Sequence, residues 1–227
     1  MNKNFWTKSL NRVKIIEKII DVIYPQTCSK CQLQSQQIAA FCENCAKMYL
    51  SGIKVVTASA KIGENIVDIW AVDDFNPQLK EIIYELKYNG IKQRAKDIFK
   101  LGITSFYEQL NYADLVTSVP LHWLRFIRRG YNQSEILAKT AARELDIEYK
   151  NTMFRTRYNF TQTKRNAKER KKACEGLFAL KKNCDVKNKT IIIVDDVCTT
   201  GSTVSECARV LYAANAKKII VLCLAKA

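Results

Sequence analysis

The sequence predicts an α/β fold in which a parallel sheet carries helices on both of its faces. Two runs, Thr190–Val194 and Lys218–Leu224, are apolar almost throughout and do not alternate, the pattern of strands buried on both sides. Between them Ser202–Ala213 has the length and periodicity of a crossover helix. A third short run, Leu115–Val119, is closed by Pro120 and followed by helical spacing over Ser134–Glu144.

The remaining elements follow in order. Ser9–Tyr24 spaces Leu10, Val13, Ile16, Ile20 and Ile23 as a helix, with Ser9 to cap it and Pro25 to stop it. Its basic faces leave two readings: a helix packed on its own protein, or a peripheral membrane contact. Val67–Phe75 reads as a strand. Asn76 then caps a helix with Pro77 in its first turn and Leu79, Ile82, Ile83 and Leu86 on one face, ended by Asn89-Gly90. A second helix is expected between Lys92 and Gln109. In Ser134–Glu144 the inward positions are Ile136, Leu137 and Ala141, followed by Leu145. Thr152–Lys172 is polar, basic and unpatterned, so a mobile loop is expected there. The expected organisation is an N-terminal helix and cysteine module over 1–50 and an α/β domain over 51–227, with a hood at about 60–110.

Charge and cysteine usage narrow the class. There are 37 Lys+Arg against 22 Asp+Glu, a net +15, which favours polyanionic partners such as nucleic acid, phosphorylated metabolites or an acidic surface. Nine cysteines cannot all pair, and four are grouped, which points to a reducing, cytoplasmic setting and a metal site. No apolar run reaches the roughly 18 residues a membrane span needs. Cys28-x-x-Cys31 and Cys42-x-x-Cys45 stand ten residues apart. Two such knuckles close a tetrahedral four-thiolate site, and soft thiolates select zinc, here as a structural ion.

The most informative stretch is Ile191–Thr203. Two carboxylates, Asp195 and Asp196, sit at the end of an apolar strand, and Thr199-Thr200-Gly201-Ser202-Thr203 leads from them into a helix. Backbone N–H groups and the dipole at a helix start form an anion seat, to which the hydroxyls add donors. Carboxylates beside that seat must grip something other than phosphate, either sugar hydroxyls or a metal ion. The segment resembles the thirteen-residue signature of type I phosphoribosyltransferases. The resemblance implies that Asp195 and Asp196 hold the ribose 2- and 3-hydroxyls, that Thr199–Thr203 wrap the 5-phosphate, and that the diphosphate of phosphoribosyl diphosphate carries Mg²⁺.

Three further segments sharpen the resemblance: Leu86-Lys87-Tyr88, Val119-Pro120-Leu121 and Arg129-Gly130-Tyr131-Asn132-Gln133-Ser134. With the cysteine module and Asp195–Gly201, in this order, they resemble the ComF family of competence-associated proteins from about Tyr24 onward. The implied role is cytoplasmic handling of incoming DNA during natural transformation, alongside the competence machinery. Arg128 and Arg129 offer guanidinium forks to phosphate oxygens, or else form a solvated basic turn. Lys87 and Tyr88 would project from the hood toward the site. His122 has no visible partner and is left without a role. Arg155–Lys172 corresponds to the loop that covers substrate in phosphoribosyltransferases, although Ala173 stands where relatives usually carry Asn. Lys164, Arg165, Lys171 and Lys172, with Tyr158 and Phe160 nearby, suit contact with single-stranded DNA. Two functions remain: a protein that binds phosphoribosyl diphosphate and single-stranded DNA, or a transferase moving phosphoribose to a nucleobase or other nitrogen acceptor.

Overall fold

Apolar strands flanked by amphipathic helices leave one economical arrangement, a sheet between helical layers, and the computed structural model has that form. It describes residues 56–156 and 174–227, together with Cys28, Cys31, Cys42, Asn44 and Cys45. The helix expected over Ser9–Tyr24 lies outside the described residues, as does the basic segment 157–173. The chain divides into two units, Met1–Gly52 and Ile53–Ala227.

The second unit opens with β1 (Val56–Ile62) and β2 (Asn65–Asp74). Next come α1 (Pro77–Tyr84), a π-helical turn at Glu85–Asn89, α2 (Gln93–Ser105) and α3 (Tyr107–Leu110). Then follow β3 (Leu115–Ser118), α4 (Trp123–Arg129) and α5 (Gln133–Leu145). A short hairpin-like pair, β4 (Met153–Arg155) and β5 (Phe178–Leu180), precedes β6 (Thr190–Cys198), α6 (Ser202–Ala213) and β7 (Lys218–Lys226).

The sheet order is β1-β2-β7-β6-β3. β2, β7, β6 and β3 run parallel, while β1 is antiparallel to β2. The expected parallel sheet is therefore present in four strands, with β1 added as an antiparallel edge. The reason is visible in β1, whose side chains alternate between half-buried and exposed, as an edge strand with one wet face requires. The alternation in the central strands sorts the core into two layers. Ile191, Ile193, Ile219 and Val221 pack with Val204, Cys207, Ala208 and Leu211 of α6 and with Met153 and Phe178 of the β4–β5 pair. The opposite face meets α2 and α5. There Ile98, Phe99 and Ile103 are at most 1% exposed; each such side chain contributes roughly 1.5–3 kcal/mol of burial. α2 lies so close to β2 that a Cβ on Gly102 would come within 2.3 Å of a Val72 methyl.

Several sequence expectations are refined. Asn76 caps α1 as expected, accepting from the Leu79 N–H at 2.9 Å. Ile136, expected to face inward with Leu137 and Ala141, is only half-buried. The unpatterned stretch from Thr152 begins with β4, whose three residues are too few to show a period. Arg128 and Arg129, expected in a loop or turn, end the helix α4, with Gly130 closing it in the left-handed region. Residues 65–74, placed with the hood on sequence grounds, form β2 inside the sheet.

The connections set where a ligand can enter. After β3 the chain passes through α5 to Tyr149, which bridges to Val116 on the outer side of β3. After β6 it passes through α6, on the other face, to β7. The crevice between the carboxyl ends of β3 and β6 is thus a point where the strand order reverses, the usual ligand position in open α/β sheets.

Candidate functional site

The crevice is a cleft of about 850 Å³. Its floor is Asp195, Asp196 and Val197 from the end of β6, with Thr199 and Thr203 beside them. Val119 and Pro120 enter from the end of β3, Ser134 from α5, and Lys87 and Tyr88 from the π-helical turn. Arg125, Arg128 and Arg129 come from α4 and Arg155 from β4. Thr200, Gly201 and Ser202 line an adjoining recess of about 30 Å³ that shares Asp195, Thr199 and Thr203.

The two carboxylates are held differently. Asp195 Oδ1 accepts from Ser134 Oγ at 2.8 Å and from the Asp196 N–H at 2.9 Å. Asp196 Oδ2 lies 2.8 Å from Lys87 Nζ. Burial first, and then the neighbouring Asp196 charge, push the Asp195 carboxyl up to about 7; the Ser134 hydroxyl and Lys87 pull the other way.

The loop after β6 owes its shape to Gly201, whose φ of +72° opens α6 in a conformation that side chains resist. The Cys198 carbonyl accepts from the Ala227 N–H at 3.0 Å, which ties the base of the loop to the sheet. Thr199 and Thr200 are exposed, and the Thr200 and Ser202 hydroxyls sit 2.8 Å apart. The start of α5 is pinned by Asn132, which donates to the Val119 carbonyl at 3.0 Å and accepts from the Ser134 N–H at 3.2 Å. The Tyr131 hydroxyl donates to the Leu86 carbonyl, anchoring the turn from which Lys87 reaches Asp196.

Lys87, Arg128, Arg129, Asp195, Asp196, Thr199 and Thr203, all singled out from the sequence, line one cleft. Lys164, Arg165, Lys171 and Lys172 lie outside the described residues. Arg125, Arg155, Ser134 and Gln133 are additions. Ser134 and Gln133 close the Arg129–Ser134 segment, so their motif marked them; nothing local distinguishes Arg125 or Arg155. Gln133 is 2% exposed and lines the cleft, and its Nε2 has no partner among the described residues. His122 does stand in a loop, and there it is buried and caps α4, its Nδ1 accepting from the Leu124 N–H at 3.2 Å. Burial, then Arg155 and Arg125, lower its pKa.

The family pattern described as Phosphoribosyl transferase domain matches residues 132–227. The chain is 34% identical over 161 residues to the DNA utilization protein YhgH of Escherichia coli K12, covering 68% of this chain and 70% of that one. It is 30% identical to Competence protein F of Haemophilus influenzae over 208 residues, 88% of this chain and 84% of that one. The chain belongs to the ComF family. Competence protein ComFC of Streptococcus pneumoniae is another relative, 28% identical over 195 residues, with 85% and 84% covered. With the matched domain and the sheet described above, this ComF-family chain has the type I phosphoribosyltransferase fold. Among solved structures, an adenine phosphoribosyltransferase aligns at 15% identity with a TM-score of 0.39, covering 78% of this chain and 89% of that one.

The first unit of this ComF-family chain holds a cysteine cluster. The sulfurs of Cys28, Cys31, Cys42 and Cys45 lie within 4.8 Å of one another, and those of Cys31 and Cys42 are 3.7 Å apart. Tetrahedral zinc, with Zn–S near 2.3 Å, sets sulfurs about 3.8 Å apart. The cluster therefore fits a metal of that kind. The neighbouring Cys42 thiol, and then burial, push the Cys45 thiol up to about 12. No helix among the described residues is long and apolar enough to cross a membrane.

Proposed function

We propose that this chain binds phosphoribosyl diphosphate with Mg²⁺ in the cleft, binds single-stranded DNA through its basic surface, and serves DNA uptake in the cytoplasm during natural transformation. The observation that carries the first part is the acidic pair beside a hydroxyl-rich helix start. Asp195 and Asp196 repel phosphate but accept hydrogen bonds from vicinal hydroxyls, so the ligand must present a diol next to its phosphate. Thr199–Thr203 seat the 5-phosphate. Arg128 and Arg129, with Lys87, meet the diphosphate as charge-assisted donors. Two carboxylates also suit a hydrated Mg²⁺, a hard cation that accepts oxygen ligands and diphosphate together; bound there, it would neutralise leaving-group charge.

The DNA role draws on the relatives' names, DNA utilization protein and Competence protein F, and on the +15 charge. Lys164, Arg165, Lys171 and Lys172 are the proposed phosphate contacts, so affinity for DNA should fall steeply with salt. Cys28, Cys31, Cys42 and Cys45 hold a structural zinc, because four thiolates complete the tetrahedron and leave no position for substrate.

The second reading is a working transferase with a nucleobase or other nitrogen acceptor. The size of the cleft favours it: about 850 Å³, with Phe75, Ile83, Leu121 and Leu124 as an apolar wall, leaves room beside a phosphosugar. Calorimetric titration with phosphoribosyl diphosphate and Mg²⁺, on the zinc-loaded protein and on Asp195→Asn/Asp196→Asn, tests the site. Micromolar binding lost in the variant supports it, and diphosphate release on adding acceptors selects the transferase. No binding by folded wild-type protein overturns the phosphosugar reading.

A further inference from the structure

Beside the cleft, the last residue of α1 and the π-helical turn after it present two tyrosines to solvent. Tyr84 is 58% and Tyr88 53% exposed, and their ring centroids are 4.9 Å apart. The Arg129 guanidinium lies 5.2 Å from the Tyr88 centroid, and Lys92 Nζ lies 4.1 Å over the ring of Tyr131. Glu81 and Glu85 are engaged by Arg94, at 3.4 and 2.6 Å, and Asp196 in the cleft is engaged by Lys87, at 2.8 Å. The turn is braced from below by the Tyr131–Leu86 hydrogen bond, so the rings stand on a supported backbone.

We propose that Tyr84 and Tyr88 form a base-stacking platform on which single-stranded DNA lies as it passes the mouth of the cleft, its phosphates meeting Lys92 and, when the cleft holds no diphosphate, Arg128 and Arg129. The inference rests on the DNA half of the proposed function and moves its contact to a face of known geometry. Two facts choose a strand over a free base. Both side chains are more than half exposed, whereas a small ligand needs most of its surface enclosed. Stacking on one open ring holds a lone base no tighter than the millimolar range, but it suffices when phosphate contacts are added. Interleaved cations supply those contacts, and every base offers a π-face, so the platform is indifferent to sequence.

The test uses the full zinc-loaded chain and fluorescence anisotropy with an oligo(dT) strand. Tyr84→Leu/Tyr88→Leu keeps apolar bulk but removes the rings, and should weaken binding roughly fivefold or more, while Tyr84→Phe/Tyr88→Phe stays within about twofold. The salt slope should be the same for all three proteins, since no charge changes. Tyr84→Leu alone should leave calorimetric binding of phosphoribosyl diphosphate intact, and Asp195→Asn/Asp196→Asn should leave oligo(dT) binding intact. Wild-type binding that the leucine variant retains overturns the platform alone. Displacement of the strand by micromolar free thymine overturns the choice of a strand. No oligo(dT) binding by the wild type overturns both the platform and the DNA reading, whatever the phosphosugar result.

Discussion

Asp195→Asn should make the ligand-free protein more stable at pH 8 while removing its capacity to hold a diol. In the native state the Asp195 carboxyl is raised from 3.8 to about 7, by burial and by the charge of Asp196. A carboxyl so placed keeps its proton in the folded protein but loses it in the unfolded chain between those two values. Its contribution to stability is therefore fully present below pH 3.8 and is lost as the pH rises through about 7. The full shift corresponds to an upper limit of about 4 kcal/mol. Relaxation around a cleft open to water reduces this, and a gain of about 1–2 kcal/mol is expected. The amide oxygen of Asn still accepts from Ser134 Oγ and from the Asp196 N–H, so the hydrogen bonds now made by Oδ1 survive. For a domain of this size, each kcal/mol raises the melting temperature by about 2–4 °C. Thermal melts of both proteins at pH 8 and pH 5 form the assay. The variant should melt several degrees higher at pH 8, and the difference should narrow at pH 5 without vanishing, because the unfolded carboxyl is already ionised there. An equal difference at both pH values, or a variant that melts lower at pH 8, refutes the reasoning.

Two further outcomes test the fold and the metal site. Gly102→Ala should destabilise the domain by about 1–3 kcal/mol through overpacking, since its methyl would lie 2.3 and 2.6 Å from the two methyls of Val72; Val72→Ala in the same chain should recover part of the lost melting temperature. Exhaustive chelation should release one zinc per chain, measured by a colorimetric metal indicator, and Cys45→Ser should lower the zinc content of purified protein; undiminished metal in that variant would place the ion elsewhere.

Features confined to one short stretch were legible in the sequence. Thr190–Cys198 and Ser202–Ala213 announce themselves by unbroken apolarity followed by a 3.6-residue period. Asn76 and Pro77 mark the start of α1 because capping is a matter of four consecutive residues. The C-x-x-C pairs specify a thiolate cluster because a knuckle's reach depends on two intervening residues. β1 was not legible, because its alternation over Val56–Ile62 is weak and half-exposed, nor was α4, whose residues are nowhere buried and so leave no apolar face to detect.

Tertiary structure decided which of these stretches meet. Sequence could place Asp195 at a strand end and Ser134 at a helix start, yet only the adjacency of β3 and β6 brings that hydroxyl to that carboxylate. The ion pair of Lys87 with Asp196 depends on a π-helical turn and on the Tyr131 hydroxyl that supports it. Arg155 reaches the cleft because β4 pairs with β5 across the segment 157–173. The physical reason is one of range. Periodicity and capping are set by neighbours a few residues away, whereas charge pairing, pKa and cleft shape depend on which strands lie side by side.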